Sequence, residues 1–561
     1  MKRKKTQRIY TPAENMKHYV QMLGERGDKV LFRYFEGKDI IDMSYGEFQG
    51  KVMAFAAALD TLGLDKKRVA IVGETSYQWV SAYVATLAAG GVAIPLDKEL
   101  DIDALCGFLE ISEAEVIVYS KTFNDKFADI IKEGKYVKHF VPIDSDTVAD
   151  NVISYDKMIE MGKASLAEGY TLPETDLERL ATMLFTSGTT GTSKCVWLSE
   201  KNTVSSMNAA CECVEFFYED TIVSVLPLHH TYELCCMLAG MNYGMTIALN
   251  DSIKKVLKNF STFKPTGLVL VPLFVNTMYK KIMSEAEKQG KLGFLKFAIK
   301  LSRFLRKFGI DLRYKLFKSV RDPFGGRLVK IVCGGAPLNP QMVKEFEEFG
   351  IYISEGYGIT ECSPLVSVSP YFAPKSGSVG PAVNSCTVKI DGDEVNEKGF
   401  VSGEILVKGS NVMIGYYNND EENAKVFTED GYFRTGDIGY MDGDGYIYIT
   451  GRKKSVIVLE NGKNVFPEEI EEYLENVESI AESVVVGRTD SEGIVTLTAI
   501  CYPAYDKFDG MTADELQAKI RADIAHLNKK LAGFKQIRDV EFRDTEFEKT
   551  TSRKIKRHLV K

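Results

Sequence analysis

Residues 184–194 read LFTSGTTGTSK, a loop in which threonines and serines are interspersed with glycines and which ends in a lysine. Glycines let the backbone turn its N–H groups toward an anion, and hydroxyls add further donors. The ammonium of Lys194 adds a positive point charge. The pattern indicates a loop that binds a polyphosphate, although its spacing differs from GxxxxGK[ST]. The alternative is a flexible surface loop or linker.

Two further loops carry side chains that suit a nucleotide. In SEGYGITECSP, Tyr357 can stack on a base, Thr360 can reach a phosphate, and Glu361 can bind Mg²⁺ between phosphate oxygens. In GYFRTGDIG, the carboxylate of Asp437 suits two vicinal ribose hydroxyls. Each loop alone is also typical of a solvated turn, so the interpretation as a nucleotide site depends on their combination.

Together with LPLHHTYE, CGGAP, GRKKSVIVLENGKNVFPEEIE and FEKTTSRKIKR, these loops make the chain resemble the adenylate-forming superfamily. That superfamily contains acyl-CoA synthetases, luciferases and the adenylation domains of peptide synthetases. The motifs follow the family's order from about Thr11 to the C-terminus, and the chain is most similar to long-chain fatty acyl-CoA synthetases.

The resemblance implies ATP-dependent activation of a long-chain fatty acid to acyl-AMP, release of pyrophosphate, and transfer of the acyl group to coenzyme A. Two alternatives share the first step: an acyl-[acyl carrier protein] ligase and a fatty acyl-AMP ligase. A third alternative is a catalytically inactive adenylate-binding protein. The acyl chain length depends on an apolar pocket, which we expect LVLVPLF and the strand near Cys333 to line in part.

The resemblance also implies roles for individual residues. Catalytic roles are expected for Lys554, Thr186, His230 and Arg452, and Glu361 is expected to bind Mg²⁺. The expected ATP- and CoA-binding set is Thr186, Ser187, Gly188, Thr189, Thr190, Gly191, Lys194, Gly335, Ala336, Pro337, Glu355, Gly356, Tyr357, Gly358, Thr360, Asp437, Arg452, Lys454 and Gly462.

Within that set, the first loop holds the β,γ-phosphates, Gly335, Ala336 and Tyr357 frame the adenine, and Asp437 and Arg452 hold the ribose. Lys454 occupies the family's hinge, and Gly462 lies in the stretch that lines the thiol tunnel. The terminal motif departs from the family pattern, because Glu548 and Arg553 replace a proline and a glycine.

The elements that position these loops follow from hydrophobic periodicity. Apolar residues at steps of three and four after Ser44 predict an amphipathic helix with Ser44 as its N-cap. The runs RVAIV, GVAIPL, TIVSVLPL, TGLVLVPLF and RLVKIV read as strands that alternate with helices, which predicts an α/β fold with parallel sheets.

Two boundaries follow from changes in this pattern. Short alternating runs predict a β-rich part at about 380–450. A separate small α+β unit is predicted after Gly451. With these boundaries, the resemblance implies an AMP-binding domain at 1–450 and a mobile C-terminal domain at 451–561.

The composition narrows the possible partners and compartments. The net charge of −8 argues against nucleic acid as the main partner. No apolar run reaches the ~20 residues of a membrane helix, and the basic N-terminus lacks an apolar core behind it, so a cytoplasmic protein is expected. The ten cysteines show no CxxC pair, which predicts reduced and mostly buried thiols.

Residues 291–330 depart from the acidic average, with twelve Lys or Arg against two Asp, interleaved with Phe, Leu and Ile. Such a basic amphipathic helix is typical of peripheral contact with the inner face of an anionic membrane. The side chains expected to bind vesicles are Lys296, Lys300, Arg303, Arg306 and Lys307. The alternative is the solvated basic face of an ordinary surface helix.

Overall fold

The computed structural model describes residues 10–133, 135–144, 150–186, 194–371, 373–459, 464–489, 495–549 and 555–560. It has the predicted mixed α/β architecture, with two large sheets in the N-terminal part and smaller sheets after them.

The strands are β1 Val30–Glu36, β2 Asp39–Ser44, β3 Arg68–Val72, β4 Val92–Leu96, β5 Val116–Tyr119, β6 His139–Pro142, β7 Leu180–Thr186, β8 Lys194–Ser199, β9 Thr221–Ser224, β10 Thr246–Leu249, β11 Gly267–Leu270, β12 Lys330–Gly334, β13 Tyr352–Gly358, β14 Leu365–Val368, β15 Cys386–Val395, β16 Val401–Gly409, β17 Gly415–Tyr416, β18 Phe433–Met441, β19 Ile447–Arg452, β20 Ile457–Val458, β21 Asn464–Val465, β22 Ile480–Thr489, β23 Val495–Pro503 and β24 Asp539–Phe542.

The α-helices are α1 Met16–Gly24, α2 Tyr45–Thr61, α3 Tyr77–Ala88, α4 Ile102–Ser112, α5 Asn124–Glu133, α6 Tyr155–Ala167, α7 Glu200–Cys213, α8 Thr231–Tyr243, α9 Val256–Phe263, α10 Pro272–Lys288, α11 Leu292–Arg306, α12 Arg313–Leu316, α13 Lys318–Arg321, α14 Pro340–Glu348, α15 Asp420–Val426, α16 Pro467–Leu474 and α17 Ala513–Asn528.

Parallel strands form the centres of both large sheets, as the alternation of strands and helices predicts. The eight-stranded sheet has the order β14-β13-β12-β11-β9-β10-β1-β2, and the seven-stranded sheet has the order β17-β8-β7-β4-β3-β5-β6. Antiparallel pairs lie at the margins, such as β7 with β8 and β13 with β14. The loops at the carboxyl ends of the parallel strands are therefore brought to common edges, where ligand sites form in such sheets.

Smaller sheets follow in sequence. The antiparallel sheet β15-β16-β18-β19 lies in the part predicted to be β-rich. Beyond it, β22, β23 and β24 pack with α16 and α17 around a separate apolar core that includes Ile470, Leu497 and Ile520. The boundary near Gly451 stays a prediction, although a separate core is what an independent unit requires.

Local sequence determines several helix ends. Ser44 caps α2, and a capping box joins it to Glu47, because each side chain bonds the backbone of the other. Pro467 lies in the first turn of α16, as predicted. One expected strand is shorter than its sequence run, since TGLVLVPLF ends as a strand at Leu270 and Pro272 begins α10. Proline lacks the N–H that a strand ladder uses and suits a helix start.

Two other expectations are met by the described residues. Eight of the ten cysteines are buried and all are free thiols. Among the described helices, none combines the length and apolar character needed to cross a membrane.

Candidate active site

Two of the predicted nucleotide loops meet at the carboxyl ends of β12 and β13. The parallel ladder places Gly334 opposite Gly356 and Cys333 opposite Glu355, so CGGAP and EGYG lie side by side. Gly335 turns the chain with φ of +88°, a conformation that favours glycine. Ala336 and Pro337 follow it as exposed residues.

The backbone after β13 approaches itself closely. A Cβ atom on Gly358 would lie 2.2 Å from the carbonyl oxygen of Pro364, so a side chain at this position would displace the loop. This tight loop carries Thr360 and Glu361 on a 3₁₀ turn, Thr360–Cys362. The close approach that Gly358 permits therefore sets the position of the turn that carries Thr360 and Glu361.

Tyr357, Asp437 and Arg452 form one hydrogen-bonded group. The phenol of Tyr357 donates to Oδ2 of Asp437 at 2.6 Å, and Nε of Arg452 lies 2.6 Å from Oδ1. Asp437 is 4% exposed at its side chain, whereas that of Arg452 is 51% exposed. The buried carboxylate is thus held by a rigid phenol on one oxygen and by a solvent-facing guanidinium on the other.

Glu361 belongs to a second group that reaches the phosphate loop. Tyr416 donates its hydroxyl to Oε1 of Glu361 at 2.8 Å. The ammonium of Lys194 lies 4.7 Å from the centre of the Tyr416 ring and pairs with Glu422 on α15. The hydrogen bond from Lys194 lowers the pKa of Glu422, and the charges of Lys194, Lys425 and Lys454 lower it further.

The two ends of the phosphate loop lie together. Thr186 pairs with Lys194 across the β7–β8 ladder, and the Thr186 hydroxyl donates to the Lys194 carbonyl at 3.4 Å. The other loop residues expected to bind phosphate lie outside the described residues, namely Ser187, Gly188, Thr189, Thr190 and Gly191. Through the Lys194 ammonium, this end of the β7–β8 ladder lies beside Tyr416, which bonds Glu361.

His230 is the N-cap residue of α8, next to a second histidine. The rings of His229 and His230 are 4.3 Å apart, and Nε2 of His229 lies 3.5 Å from Oδ2 of Asp97. Burial, together with the nearby charge of His230, lowers the pKa of His229 to about 3. His229 is therefore neutral at physiological pH and can act there as a neutral hydrogen-bonding group.

Glu233, one turn into α8, is a buried carboxyl. Its Oε1 accepts a hydrogen bond from Ser224, and its Oε2 has no partner among the described residues. Burial raises its pKa to about 8. At neutral pH this side chain is protonated, which avoids a buried charge.

This carboxyl predicts how stability depends on pH. In the folded state Glu233 keeps its proton up to about pH 8, whereas in the unfolded chain its pKa is the ordinary 4.5. The free energy of unfolding therefore falls as the pH rises from 4.5 to about 8, and Glu233 causes no further fall above pH 8. We expect Glu233→Gln to have a Tm a few degrees above that of wild type at pH 8 and equal to that of wild type near pH 5, because the glutamine side chain cannot ionise. Calorimetry at both pH values measures this. The exposed Glu219→Gln is the control, and an equal margin at both pH values contradicts the assignment.

An apolar cavity lies between α7, α8 and the eight-stranded sheet. Its lining is Ala210, Val214, Phe216, Ile222, Cys236, Ala239, Gly240, Tyr243, Met245, Val269 and Val332. Tyr232 lies one helical turn before Cys236 and donates its hydroxyl to the Val332 carbonyl at 3.1 Å. A Cβ atom on Gly334 would lie 3.4 Å from the Tyr232 ring. Tyr232 thus separates the cavity from the glycine turn.

The C-terminal unit lies against this edge. Asn339 at the start of α14 donates to Asn476, which follows α16, at 2.7 Å. Burial raises the pKa of Glu355 to about 8, and the nearby charge of Glu472 on α16 contributes. Lys454 lies on the 3₁₀ turn Lys453–Ser455, directly after β19.

The positions singled out after Lys454 are only partly described. Gly462, Arg553 and Lys554 lie outside the described residues, and so their predicted roles stay predictions. Glu548 is described: its carbonyl accepts a hydrogen bond from the Lys556 amide at 2.8 Å.

Sequence reasoning missed Tyr416, Glu422 and Asp97. None stands in a loop that is read as a nucleotide motif. Glu422 is 228 residues from Lys194, and Tyr416 is 55 residues from Glu361. In the segment GYYNNDEEN the acidic residues form the first turn of α15, which is the signal of an ordinary helix N-terminus.

Comparisons with known proteins agree with this geometry. The family model described as AMP-binding enzyme matches residues 21–417, and that described as AMP-binding enzyme C-terminal domain matches residues 454–561. The chain is 29% identical to the long-chain-fatty-acid–CoA ligase FadD15 of Mycobacterium bovis, over 92% of this chain and 90% of the relative. It is 27% identical to the peroxisomal long chain acyl-CoA synthetase 7 of Arabidopsis thaliana, over 82% of this chain and 68% of the relative.

Solved structures are also similar. ATP-bound MatB from Rhodopseudomonas palustris superposes with a TM-score of 0.74 at 25% identity, over 97% of this chain and 98% of that one.

Proposed function

Because this chain belongs to the AMP-binding enzyme family, we propose that it activates a long-chain fatty acid with ATP and transfers the acyl group to the thiol of coenzyme A. The observation that carries the proposal is the convergence of Lys194, Glu361, Tyr357, Asp437 and Arg452 from four separate segments. A cation, a metal-binding carboxylate and a buried carboxylate for ribose are what an adenylation site requires.

In this proposal the nucleotide lies across the edge formed by β12, β13 and β18. Gly335, Ala336 and Tyr357 frame the adenine, and Asp437 accepts hydrogen bonds from the ribose hydroxyls. Arg452 can move away from Oδ1 of Asp437 and leave that oxygen to the ribose, because the Arg452 side chain is half exposed. The loop from Thr186 to Lys194 holds the β,γ-phosphates.

Glu361 is the residue that would hold Mg²⁺. Within the described residues no group of three or more His, Cys, Asp or Glu side chains could hold a metal ion alone. A single carboxylate, that of Glu361, fits Mg²⁺, because this ion is commonly held by one or two carboxylates plus substrate phosphates. When bound, the ion supplies neutralisation of phosphate charge.

The acyl group is proposed to occupy the apolar cavity beside α8. That helix begins after His230, near the nucleotide, and ends at Tyr243, about 20 Å away by helical rise. Cys236, Ala239, Gly240 and Tyr243 all face the cavity. The apolar lining suits the chain of a long acid, and its carboxylate would point toward the His230 end of α8, past Tyr232.

The C-terminal unit is proposed to be the mobile domain, with 1–450 and 451–561 as the two lobes. Lys454 would lie at the hinge, Gly462 in the thiol tunnel, and Lys554 at the α-phosphate during adenylation. The separate core of this unit supports the proposal, because a lobe that moves must fold independently of the other. Such motion would exclude water while the reactive acyl-AMP is present.

Glu422 predicts an effect on ATP affinity. Its carboxylate pairs with Lys194, so it competes with the phosphates for that ammonium. We expect Glu422→Gln to lower the KM for ATP about fivefold with kcat unchanged, since a partly exposed ion pair is worth up to about 1 kcal/mol.

The matched control for this variant is Glu421→Gln. Glu421 is exposed and pairs with Lys425 on the same helix, so its replacement leaves the KM for ATP at the wild-type value. Steady-state pyrophosphate release at varied ATP measures both variants. An increase in the KM of Glu422→Gln would mean that the carboxylate positions Lys194 instead of competing for it.

Carrier protein is an alternative thiol acceptor, because the first step is common to both reactions. The test incubates the enzyme with fatty acids of graded length, ATP and Mg²⁺, with free CoA or with holo-acyl carrier protein. Acyl-CoA formation supports the proposal, and product with carrier protein alone overturns the choice of acceptor. Pyrophosphate exchange that is equally absent in wild type and Lys554→Ala, with every acid, identifies an inactive adenylate-binding protein.

Peripheral contact of residues 291–330 with the inner face of an anionic membrane is the last part of the proposal. A long-chain acid partitions into lipid, so an enzyme that uses it gains by binding the same surface.

A further inference from the structure

Helix α11 and the turn that follows it carry an exposed apolar stripe. Phe294, Phe297, Leu301, Phe304 and Phe308 are 65%, 60%, 37%, 57% and 67% exposed. Their spacing of three and four residues places them on one face, and the rings of Phe304 and Phe308 are 5.1 Å apart. Soluble proteins rarely leave large contiguous apolar patches exposed unless a partner covers them.

The neighbouring face of the helix packs against the core. Leu295, Ala298 and Ser302 are buried against the core. The stripe is therefore a second apolar face and does not contribute to the packing of the helix. The fold holds α11 in place without it.

The basic side chains of α11 divide into two groups. Arg303 bonds Glu348 at 3.1 Å, and Arg306 bonds Glu348 at 2.6 Å and Glu347 at 3.1 Å. These two arginines therefore attach α11 to α14. The expectation that they bind vesicles stays a prediction, although their charges are already paired with carboxylates.

The second group consists of Lys296, Lys300 and Lys307. In the described part of the chain none of them has an ion pair. At 100° per residue they form a row along one side of the aromatic stripe. An apolar stripe bordered by unpaired ammonium groups matches a surface that is apolar inside and anionic at its rim.

We propose that α11 lies in the headgroup region of an anionic bilayer, with the five stripe side chains directed into the lipid and Lys296, Lys300 and Lys307 on lipid phosphates. This inference rests on the proposed function, which supplies a lipid substrate as its reason. A second copy of the chain fits less well, because a two-fold contact through the stripe with antiparallel helices would bring the two lysine rows together.

Vesicle sedimentation tests the surface with the full-length protein and phosphatidylcholine–phosphatidylglycerol vesicles. Phe294→Ser/Phe297→Ser/Phe304→Ser is expected to reduce partitioning at least tenfold at low and high salt. Lys296→Gln/Lys300→Gln/Lys307→Gln is expected to reduce it about 100-fold at low salt, at about fivefold per lysine, with little further effect at high salt. The control Val395→Ser/Val401→Ser removes exposed apolar side chains, 65% and 45% exposed, from the β15–β16 edge and binds like wild type.

Insertion is measured separately with Phe297→Trp. A blue shift of the added tryptophan signal and its quenching by brominated acyl chains support the inference. Wild-type binding by the aromatic triple variant, or an unshifted emission, overturns it. A dimer that the aromatic triple variant abolishes, seen by light scattering, assigns the stripe to a second copy and also overturns it.

Measuring acid activation alongside vesicle binding distinguishes a failure of this inference from a failure of the proposed function. All these variants are expected to retain wild-type kcat/KM on a short soluble acid and the wild-type Tm. If the protein binds vesicles but activates no acid, the membrane-binding inference is supported and the proposed function is wrong. Activation of acids without any vesicle binding removes the surface alone.

Discussion

Glu361→Gln is expected to reduce acyl-adenylate formation about 10²–10³-fold, the typical cost of removing one electrostatic contact to a developing charge. Glutamine keeps the size of the side chain and can still accept the hydrogen bond that Tyr416 donates at 2.8 Å. The variant therefore removes the negative charge and leaves the local packing. Pyrophosphate release at saturating ATP and acid measures the loss.

Tyr416→Phe is the matched control for Glu361. It removes the donor to the carboxylate and keeps the ring beside Lys194. We expect a loss of tenfold at most, and a Mg²⁺ dependence like that of wild type. For Glu361→Gln, by contrast, half-saturation should shift to higher Mg²⁺. An unchanged Mg²⁺ titration of that variant would show that Glu361 does not hold the metal.

Ala210→Leu is expected to lower kcat/KM about 100-fold on long acids while acids a few carbons shorter react at the wild-type rate. Ala210 lines the cavity where the C-terminal ends of α7 and α8 meet, beside Val214 and Tyr243. A larger side chain there closes the far end of the proposed acyl channel. Each methylene that loses its place is worth about 1–3 kcal/mol.

Ala209→Leu separates the channel from general overpacking. Ala209 is buried on the same helix but does not line the cavity. Both variants carry the cost of an overfilled core, typically about 1–3 kcal/mol. Only the variant at Ala210 should discriminate between chain lengths, as a panel of acids read by pyrophosphate release will show. Equal loss on all lengths at Ala210 would place the acyl group elsewhere.

Much of the architecture was predictable from the sequence, because its causes are local. The capping box of Ser44 with Glu47 begins α2, and Pro467 begins α16. Runs such as RVAIV become buried parallel strands because β-branched side chains favour that conformation. The limit of this reasoning is visible at Pro272, where an apolar run continues but the backbone changes from strand to helix.

The candidate site was predictable as a set of loops but not as a set of contacts. Tyr357 was expected at a base, and the structure places its hydroxyl on Asp437, 80 residues away. The pairing of Lys194 with Glu422 spans 228 residues. A single sequence contains no pattern that identifies hydrogen-bond partners so far apart in the chain.

The basic helix α11 also separates what the sequence determines from what tertiary packing determines. Its charge and its apolar spacing were evident in the sequence, and they predicted an amphipathic helix with five equivalent cations. Tertiary packing decided that Arg303 and Arg306 are attached to α14, that Lys296, Lys300 and Lys307 are unpaired, and which apolar face stays exposed. A sequence determines which residues share a face of a helix, because the helical repeat is local. It does not determine what that face meets, because the neighbouring element is placed by the rest of the chain.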